Sequence, residues 1–435
     1  MATLLTDRRD GEHQRLLSSI RTGWTDDPLF RMVVGIGCIL APLRVPTLPI
    51  TLGALFAVFL LPVCISAVKS RQMIVFGALA VVGVAVGYLI LPPLSIEAEP
   101  GRHYDSALAL HQLLLVVSAL LTYVFLNYCF SIVGGRSGVA LAGVGLVGAV
   151  FYSSNSAEEN PWKYGGGVAI SILLLAIISK RGTGLQASAC ILLALVSAVY
   201  ESRSLALVLL ATALVIFFAG YWRDRAIPFT PVRGVQVVTA LALVGWIAVS
   251  AVNAAALSGK FGADLASRQR EQLANGGLLG GRTEYGAFLN LVREIPIGFG
   301  FGIGPSLEDS LDGRAGMRMV GGGGGGAYVD ERMFGDWVEL HSIVGDLWVQ
   351  LGIAGLVLGV GVLIFLVRAV WWAAVARIAP LGLALFLGIN GIWDLLFSPL
   401  YANLVLVAVS VAALVSLMRD SGSGVPPAGG ARVMR

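Results

Sequence analysis

Apolar runs of about 15 to 24 residues recur along this chain between short polar turns, and they are interrupted once by a polar stretch of roughly 85 residues, Leu257 to Ile343. Windows such as Leu205 to Gly220 are apolar on every side. That is the pattern of a membrane helix and not the alternation of a barrel strand. At 1.5 Å per residue, such runs cross a hydrocarbon core about 30 Å thick. The spacing predicts about twelve spans, over 29–43, 48–67, 72–93, 106–130, 138–154, 165–179, 185–200, 204–221, 234–256, 344–367, 379–396 and 401–418. The expected fold class is all-α: a polytopic integral membrane protein with one large extracytoplasmic loop containing short helices. Its segments are an N-terminal part (1–28), nine spans (29–256), the large loop (257–343), three spans (344–418) and a disordered tail (419–435).

Composition agrees with this division. Of 435 residues, 57% are hydrophobic and 13% charged, too apolar a balance for a protein in water. A net charge of +4 in such a chain speaks to topology, not to nucleic acid. With a cytoplasmic N-terminus, the inside loops would hold Arg8, Arg9, Arg15, Arg21, Arg31, Lys69, Arg71, Arg136, Lys180, Arg181, Arg223, Arg225, Arg233, Arg368, Arg377 and Arg419. The short outside loops would keep only Arg44, Arg102, Lys163 and Arg203. This asymmetry predicts both termini in the cytoplasm and the long loop outside. The N-terminus lacks a basic, apolar and small-residue succession ending in a cleavage site, so the first span is expected to be the targeting signal. Cys38, Cys64, Cys129 and Cys190 sit singly in apolar runs and read as packing residues.

Three places could carry chemistry. The first is Tyr200-Glu201-Ser202-Arg203-Ser204, a charged islet between two apolar runs. It is either a solvated hairpin turn with a Glu201–Arg203 pair or an anion site, because an Arg near hydrocarbon is costly without a partner. The second is the helix-like run Arg282 to Ile295, stopped by Pro296 and by Gly298, Gly300, Gly302 and Gly304. Helical spacing puts Arg282 and Arg293 on one face about 16 Å apart. Arg282 at a helix start opposes the macrodipole, which asks for an anion, either Glu284 or a ligand phosphate. The third is His341, where the chain re-enters apolar sequence near Trp337 and Trp348. It reads either as an interfacial anchor or as a neutral imidazole that accepts a proton from a hydroxyl. The run Gly321 to Gly326 is expected to be a flexible link that frees the acidic insertion Glu308 to Asp336 to act as a lid.

The Ser202-Arg203 dipeptide after a mid-chain helix, the Arg282-headed helix running into Pro296, Gly298, Gly300 and Gly302, and His341 opening a helix that holds Leu351 to Gly355 occur in one order. In that order and spacing they resemble the O-antigen ligase and O-antigen polymerase superfamily of bacterial membrane glycosyltransferases, over Tyr200 to Val367. The resemblance implies inverting, metal-independent transfer of a glycan from a polyprenyl-diphosphate carrier to a glycan, lipid or protein hydroxyl at the outer face of the cytoplasmic membrane. No cofactor is implied. Arg203 and Arg282 match the diphosphate positions, with Arg293 as a further candidate, and His341 matches the position that assists the acceptor. Family members commonly have His-Asn where this chain has His341-Ser342, and the insertion Glu308 to Asp336 matches no motif. Polymerase, ligase and protein O-glycosylation stay open. Two other readings remain: a polyprenyl-monophosphate-sugar transferase with a metal at Glu97 and Glu99, and a flippase using Asn127 or the Asn390 to Asp394 cluster.

Overall fold

The computed structural model describes residues 27–68, 71–152, 160–225, 283–321, 325–375 and 380–421, with isolated positions between 230 and 270. Nearly all of the expected span 234–256 lies outside the described residues, as do the N-terminal part up to residue 26, the tail beyond 421, Arg282 and Gly322 to Gly324.

The described chain is helical wherever the apolar runs are. It forms α1 (Pro28–Leu40), α2 (Leu52–Phe59), α3 (Leu61–Ser66), α4 (Arg71–Ala85), α5 (Leu91–Ala98), α6 (Ser106–Val133), α7 (Gly135–Tyr152), α8 (Gly167–Ile178), α9 (Thr183–Val199) and α10 (Arg203–Asp224). After the polar stretch come α13 (Ile343–Val375), α14 (Leu381–Phe397) and α15 (Leu400–Asp420), and within that stretch lie α11 (Glu284–Glu294) and α12 (Leu307–Met319). By length and composition, the helices over Gln72–Ala98, Ser106–Val133, Arg203–Trp222, Ile343–Val375 and Leu400–Asp420 can each cross a membrane. Caps set several starts: Asp27 with Pro28 opens α1, Thr51 caps α2, and the Asp105 carboxylate takes the Ala107 and Leu108 N–H groups of α6. Pro62 sits in the first turn of α3 and divides the expected span 48–67 into two short helices. Large apolar side chains such as Phe59, Leu89, Phe151 and Val199 are exposed, as on a bundle whose solvent is lipid.

The bundle has two distinct ends. At one, Arg31 donates to the Ile132 carbonyl, Arg136 to those of Ala176 and Ile177, and the Gly135 N–H to Asp420. These arginines complete the carbonyl-rich ends of α6 and α8, where a cation is favoured. At the other end, Arg44 donates to the Tyr401 carbonyl, Asp346 accepts from the Leu400 N–H, and a two-residue antiparallel ladder joins β1 (His103–Tyr104) to β2 (Ile303–Gly304). The polar stretch sits on this second end.

That stretch has a core of its own. Ala287, Leu291, Phe299, Ile303, Met317, Val329, Met333, Phe334, Val338 and Leu340 pack together and onto Trp348 of α13. Helices α11 and α12 cross with the Gly286 and Gly316 backbones in direct apposition. This corrects the expectation of a free acidic lid. A Ser306–Asp309 capping box opens α12, and Asp309 forms a buried two-pronged ion pair with Arg102, at 2.9 Å to Nε and 2.6 Å to Nη2. The insertion is therefore tied to the turn before α6 by charges that water does not reach. Trp348 belongs to this core. It is fully buried, packs edge-on against Phe288 and Phe299, and donates to the Pro296 carbonyl at 3.2 Å.

Candidate functional site

The glycine run after Pro296 threads between broken helices. Gly298, Gly300 and Gly302 have φ of 85°, 99° and 75°, which L side chains rarely adopt. Their alternation keeps the intervening Phe299 and Phe301 side chains pointing into packed interiors, where both are fully buried. The N–H groups of Phe299 and Gly300 both bond the Val349 carbonyl, at 3.0 and 2.9 Å, and the Phe301 N–H bonds the Gly87 carbonyl at 2.9 Å. These partners belong to helix interruptions. Gly87 lies in a π-helical turn, Val86–Ile90, between α4 and α5, and α13 breaks at Gly352 (φ 62°, ψ −145°). A carbonyl released inside a helix bundle needs a donor, and the glycine run supplies it.

His341 stands at the mouth of α13. Ser342 caps this helix: its Oγ accepts from the Gly345 N–H at 3.3 Å and donates to the Leu395 carbonyl at 3.2 Å. Asp346 locks the preceding turn by accepting from the N–H groups of Leu340 (2.7 Å) and Leu400 (3.0 Å). With both flanks held, His341 takes φ 47°, a left-handed conformation that costs on the order of 1–3 kcal/mol and persists where surroundings impose it. Its Nδ1 lies 3.6 Å from Glu339 Oε1, and its ring meets the Tyr328 ring edge-on at 5.4 Å. Tyr328 in turn donates to Glu284 Oε1 at 3.0 Å, which ties the first turn of α11 to His341. Tyr285 reinforces the junction by donating to the Leu396 carbonyl.

Arg203 lies at the same end of the bundle. The Gly382 N–H bonds Gln186 Oε1 at 2.7 Å, so α9 and α14 start level. Each runs 17 residues, about 25 Å, so Val199 and Phe397 end at a similar height, and Ser342 meets α14 near that end at Leu395. The turn Tyr200 to Ser202 then reverses the chain, with Glu201 at φ 55° and the Ser202 N–H on the Ser197 carbonyl at 2.8 Å. Trp162 stacks on Tyr200 and donates to Ser197 Oγ, fixing this turn from the side. Arg203 opens α10, is exposed, and has no acidic residue in its first turn. Among the described residues, three non-glycine residues have positive φ, and two of them, Glu201 and His341, flank or form the expected site residues.

Arg293 is not brought to His341. It ends α11, nine residues from Glu284 and so about 13 Å along the helix, where it is exposed and paired with Glu294 at 2.7 Å. The reason is local: Gly286, Ala287, Asn290 and Leu291 bury the opposite face of α11. Arg282, the other expected diphosphate ligand, lies outside the described residues. Glu99 faces Glu308, and the pair pushes the Glu308 carboxyl above its ordinary value by charge repulsion. Among the described residues, no group of three or more His, Cys, Asp or Glu side chains is arranged to hold a metal ion.

Beside His341 is a cavity of about 390 Å³. Glu339 forms part of its wall, together with His103 and Asp105 before α6, His111 and Gln112 in α6, Asp336 to Val338, Asp346 and Gln350 of α13, and Tyr401 of α15. His111 and Tyr401 stack at 5.0 Å and share a hydrogen bond. None of His103, His111, Gln350 or Tyr401 carried a signal in the chain, because they come from four separate segments and from apolar runs. No protein-family model matches this chain, and no curated protein or solved structure matches it either.

Proposed function

We propose that this chain is a membrane glycosyltransferase that moves a glycan from a polyprenyl-diphosphate carrier to an acceptor hydroxyl, with inversion at the anomeric carbon. The observation that carries the reading is His341, held in a left-handed turn 3.6 Å from Glu339, whose side chain lines a polar cavity, at the bundle end that also bears Arg203. Glu339 Oε1 lies 3.6 Å from Nδ1, beyond hydrogen-bond reach, so it acts as a nearby negative charge, and Nε2 is the nitrogen assigned to the acceptor. The acceptor oxygen attacks the anomeric carbon, its proton passes to His341 Nε2, and the sugar–oxygen bond breaks with its electron pair leaving on the diphosphate. Negative charge grows on that diphosphate. Arg203 and Arg282 are the guanidinium groups assigned to it, and fixed cations stabilise the transition state more than the ground state. Arg203 at the start of α10 adds the helix N-terminus to the same task.

The wider assignment is a multi-pass protein of the bacterial cytoplasmic membrane, with about twelve spans, both termini cytoplasmic and residues 257–343 outside. Its support is the segregation of basic residues: Arg31, Arg136, Arg181 and Arg419 belong to one end, and the folded polar stretch to the other. The broken helix at Gly352, with buried Asp346 in the same helix and buried Asp394 in α14, is the observation that favours a flippase instead. Against it, these groups are satisfied within the protein: Val349 by Phe299 and Gly300, Asp394 by Asn390 and Ser398, Asp346 by Leu340 and Leu400. Gln350 Oε1 and Asn127 Oδ1 are the buried amide oxygens left without a partner among the described residues.

The test is the glycan profile of a deletion strain complemented with Arg203→Ala, Arg282→Ala or His341→Ala. Each variant is expected to reach the membrane and to leave the profile of the deletion strain unchanged. Full complementation by Arg282→Ala or Arg203→Ala would refute the diphosphate role.

A further inference from the structure

The cavity beside His341 has an unusual balance of charge for a protein assigned to a diphosphate-linked donor. Asp105, Asp336, Glu339 and Asp346 all face it, and among the described residues that line it none is Lys or Arg. Two of these carboxylates are engaged in structure: Asp346 holds the Leu340 and Leu400 N–H groups, and Asp105 caps α6. Asp336 and Glu339 keep the wall acidic at its exposed edge. A phosphate placed there would meet like charges in a partly desolvated space, which disfavours it.

A second observation points to an occupant. Gln350 lines the cavity, is 7% exposed, and its Oε1 is buried with no hydrogen-bond partner among the described residues. An unpaired buried amide oxygen is costly to leave unmade, and what satisfies it must be a donor. Gln112 beside it is fixed by accepting the Gly302 N–H at 2.8 Å. Half-buried Trp337 and exposed Tyr401 add aromatic surface. Carboxylate and amide acceptors among aromatic walls suit a ring that carries several hydroxyl groups and no negative charge.

We propose that this cavity is a carbohydrate subsite for the acceptor, taking an uncharged, hydroxyl-rich sugar ring and rejecting anionic sugars, with Gln350 accepting from a ligand hydroxyl or amide and Asp336 setting the charge preference. The inference rests on the glycan-transfer reading, and it assigns the acceptor side because Glu339 is shared between this wall and His341. A volume of about 390 Å³ holds one to two sugar rings with their bound water.

The test uses the full-length protein in nanodiscs and saturation-transfer NMR with the methyl glycosides of glucose, galactose, N-acetylglucosamine and glucuronic acid. At least one neutral glycoside should give a signal and the glucuronide none. Gln350→Leu should weaken that binding about tenfold, the loss of one hydrogen bond of about 1.4 kcal/mol, while melting no lower than the parent, since the amide oxygen it removes has no protein partner. Asp336→Asn should admit the glucuronide. Binding should persist in Arg203→Ala, a variant whose transfer is expected to be lost, so binding and transfer fail independently. The proposal is overturned if no neutral glycoside binds, if the glucuronide binds the parent equally well, or if Gln350→Leu binds unchanged.

Discussion

Glu339 holds its carboxylate 3.6 Å from His341 Nδ1, with His341 in a left-handed turn that Ser342 and Asp346 lock on the helix side. Glu339 is a positioning residue in the proposed mechanism. Glu339→Gln should lower the turnover of transfer at least tenfold, with little change in the KM for donor. His341→Ala should lose about 10² to 10⁴-fold, the contribution of a positioned base. Steady-state kinetics with lipid-linked donor in nanodiscs separates the two effects. A Glu339→Gln enzyme with parental turnover would remove Glu339 from the mechanism.

Arg102 and Asp309 are almost wholly withdrawn from solvent, with side-chain exposures of 4% and 3%. Arg102 also donates to the Ser95 carbonyl and Oγ and lies 4.8 Å over the Phe299 ring. Removing either charge alone strands the other, so Arg102→Ala and Asp309→Ala should each destabilise the end of the bundle by about 3–5 kcal/mol. Limited proteolysis should then cut within α12, which the parent protein resists. The Arg102→Met, Asp309→Leu pair should recover most of the loss.

Gly352 has a backbone conformation confined to glycine, and a Cβ there would strike the Ile297 carbonyl. Gly352→Ala should cost at least about 2 kcal/mol from backbone strain alone. The reduction should be seen as a lower melting temperature and less protein in the membrane. An alanine tolerated with parental melting would show that the helix closes without the break.

Glu308 has its carboxyl raised above the ordinary value of 4.5, first by the charge of Glu99 and then by a hydrogen bond shared with it. A carboxyl that is harder to ionise when folded binds more protons in the native than in the unfolded state. Stability from this pair is therefore greatest below the unfolded value and falls as pH rises through the folded one. Glu308→Gln should melt higher than the parent at pH 7 and equally at pH 3.5, with the difference opening between. Identical melting curves at both pH values would dismiss the repulsion.

The helix pattern was closely legible in the chain. The expected 106–130, 204–221 and 401–418 match α6 (Ser106–Val133), α10 (Arg203–Asp224) and α15 (Leu400–Asp420), because a run that must bury every backbone group in lipid can only be helical. All four cysteines are free and buried, as apolar packing predicted. Interruptions inside runs were not legible. The π-helical turn at Val86–Ile90 and the break at Gly352 lie inside runs read as single spans, and a distant glycine run bonds the carbonyls of Gly87 and Val349 beside them.

The sequence by itself determined the helices, the location of the polar stretch, and Arg203 and His341 as residues set apart by charge at helix starts. Only the tertiary structure decided what surrounds them. Glu339 lies two residues from His341, yet its acidic cavity is completed by His111, Gln350 and Tyr401 from apolar runs, and Arg102 reaches Asp309 across 207 positions. Helix formation depends on neighbours three and four residues apart, so it is written locally. A cavity depends on which helix faces meet, and side chains from separate segments acquire a common chemistry only after packing.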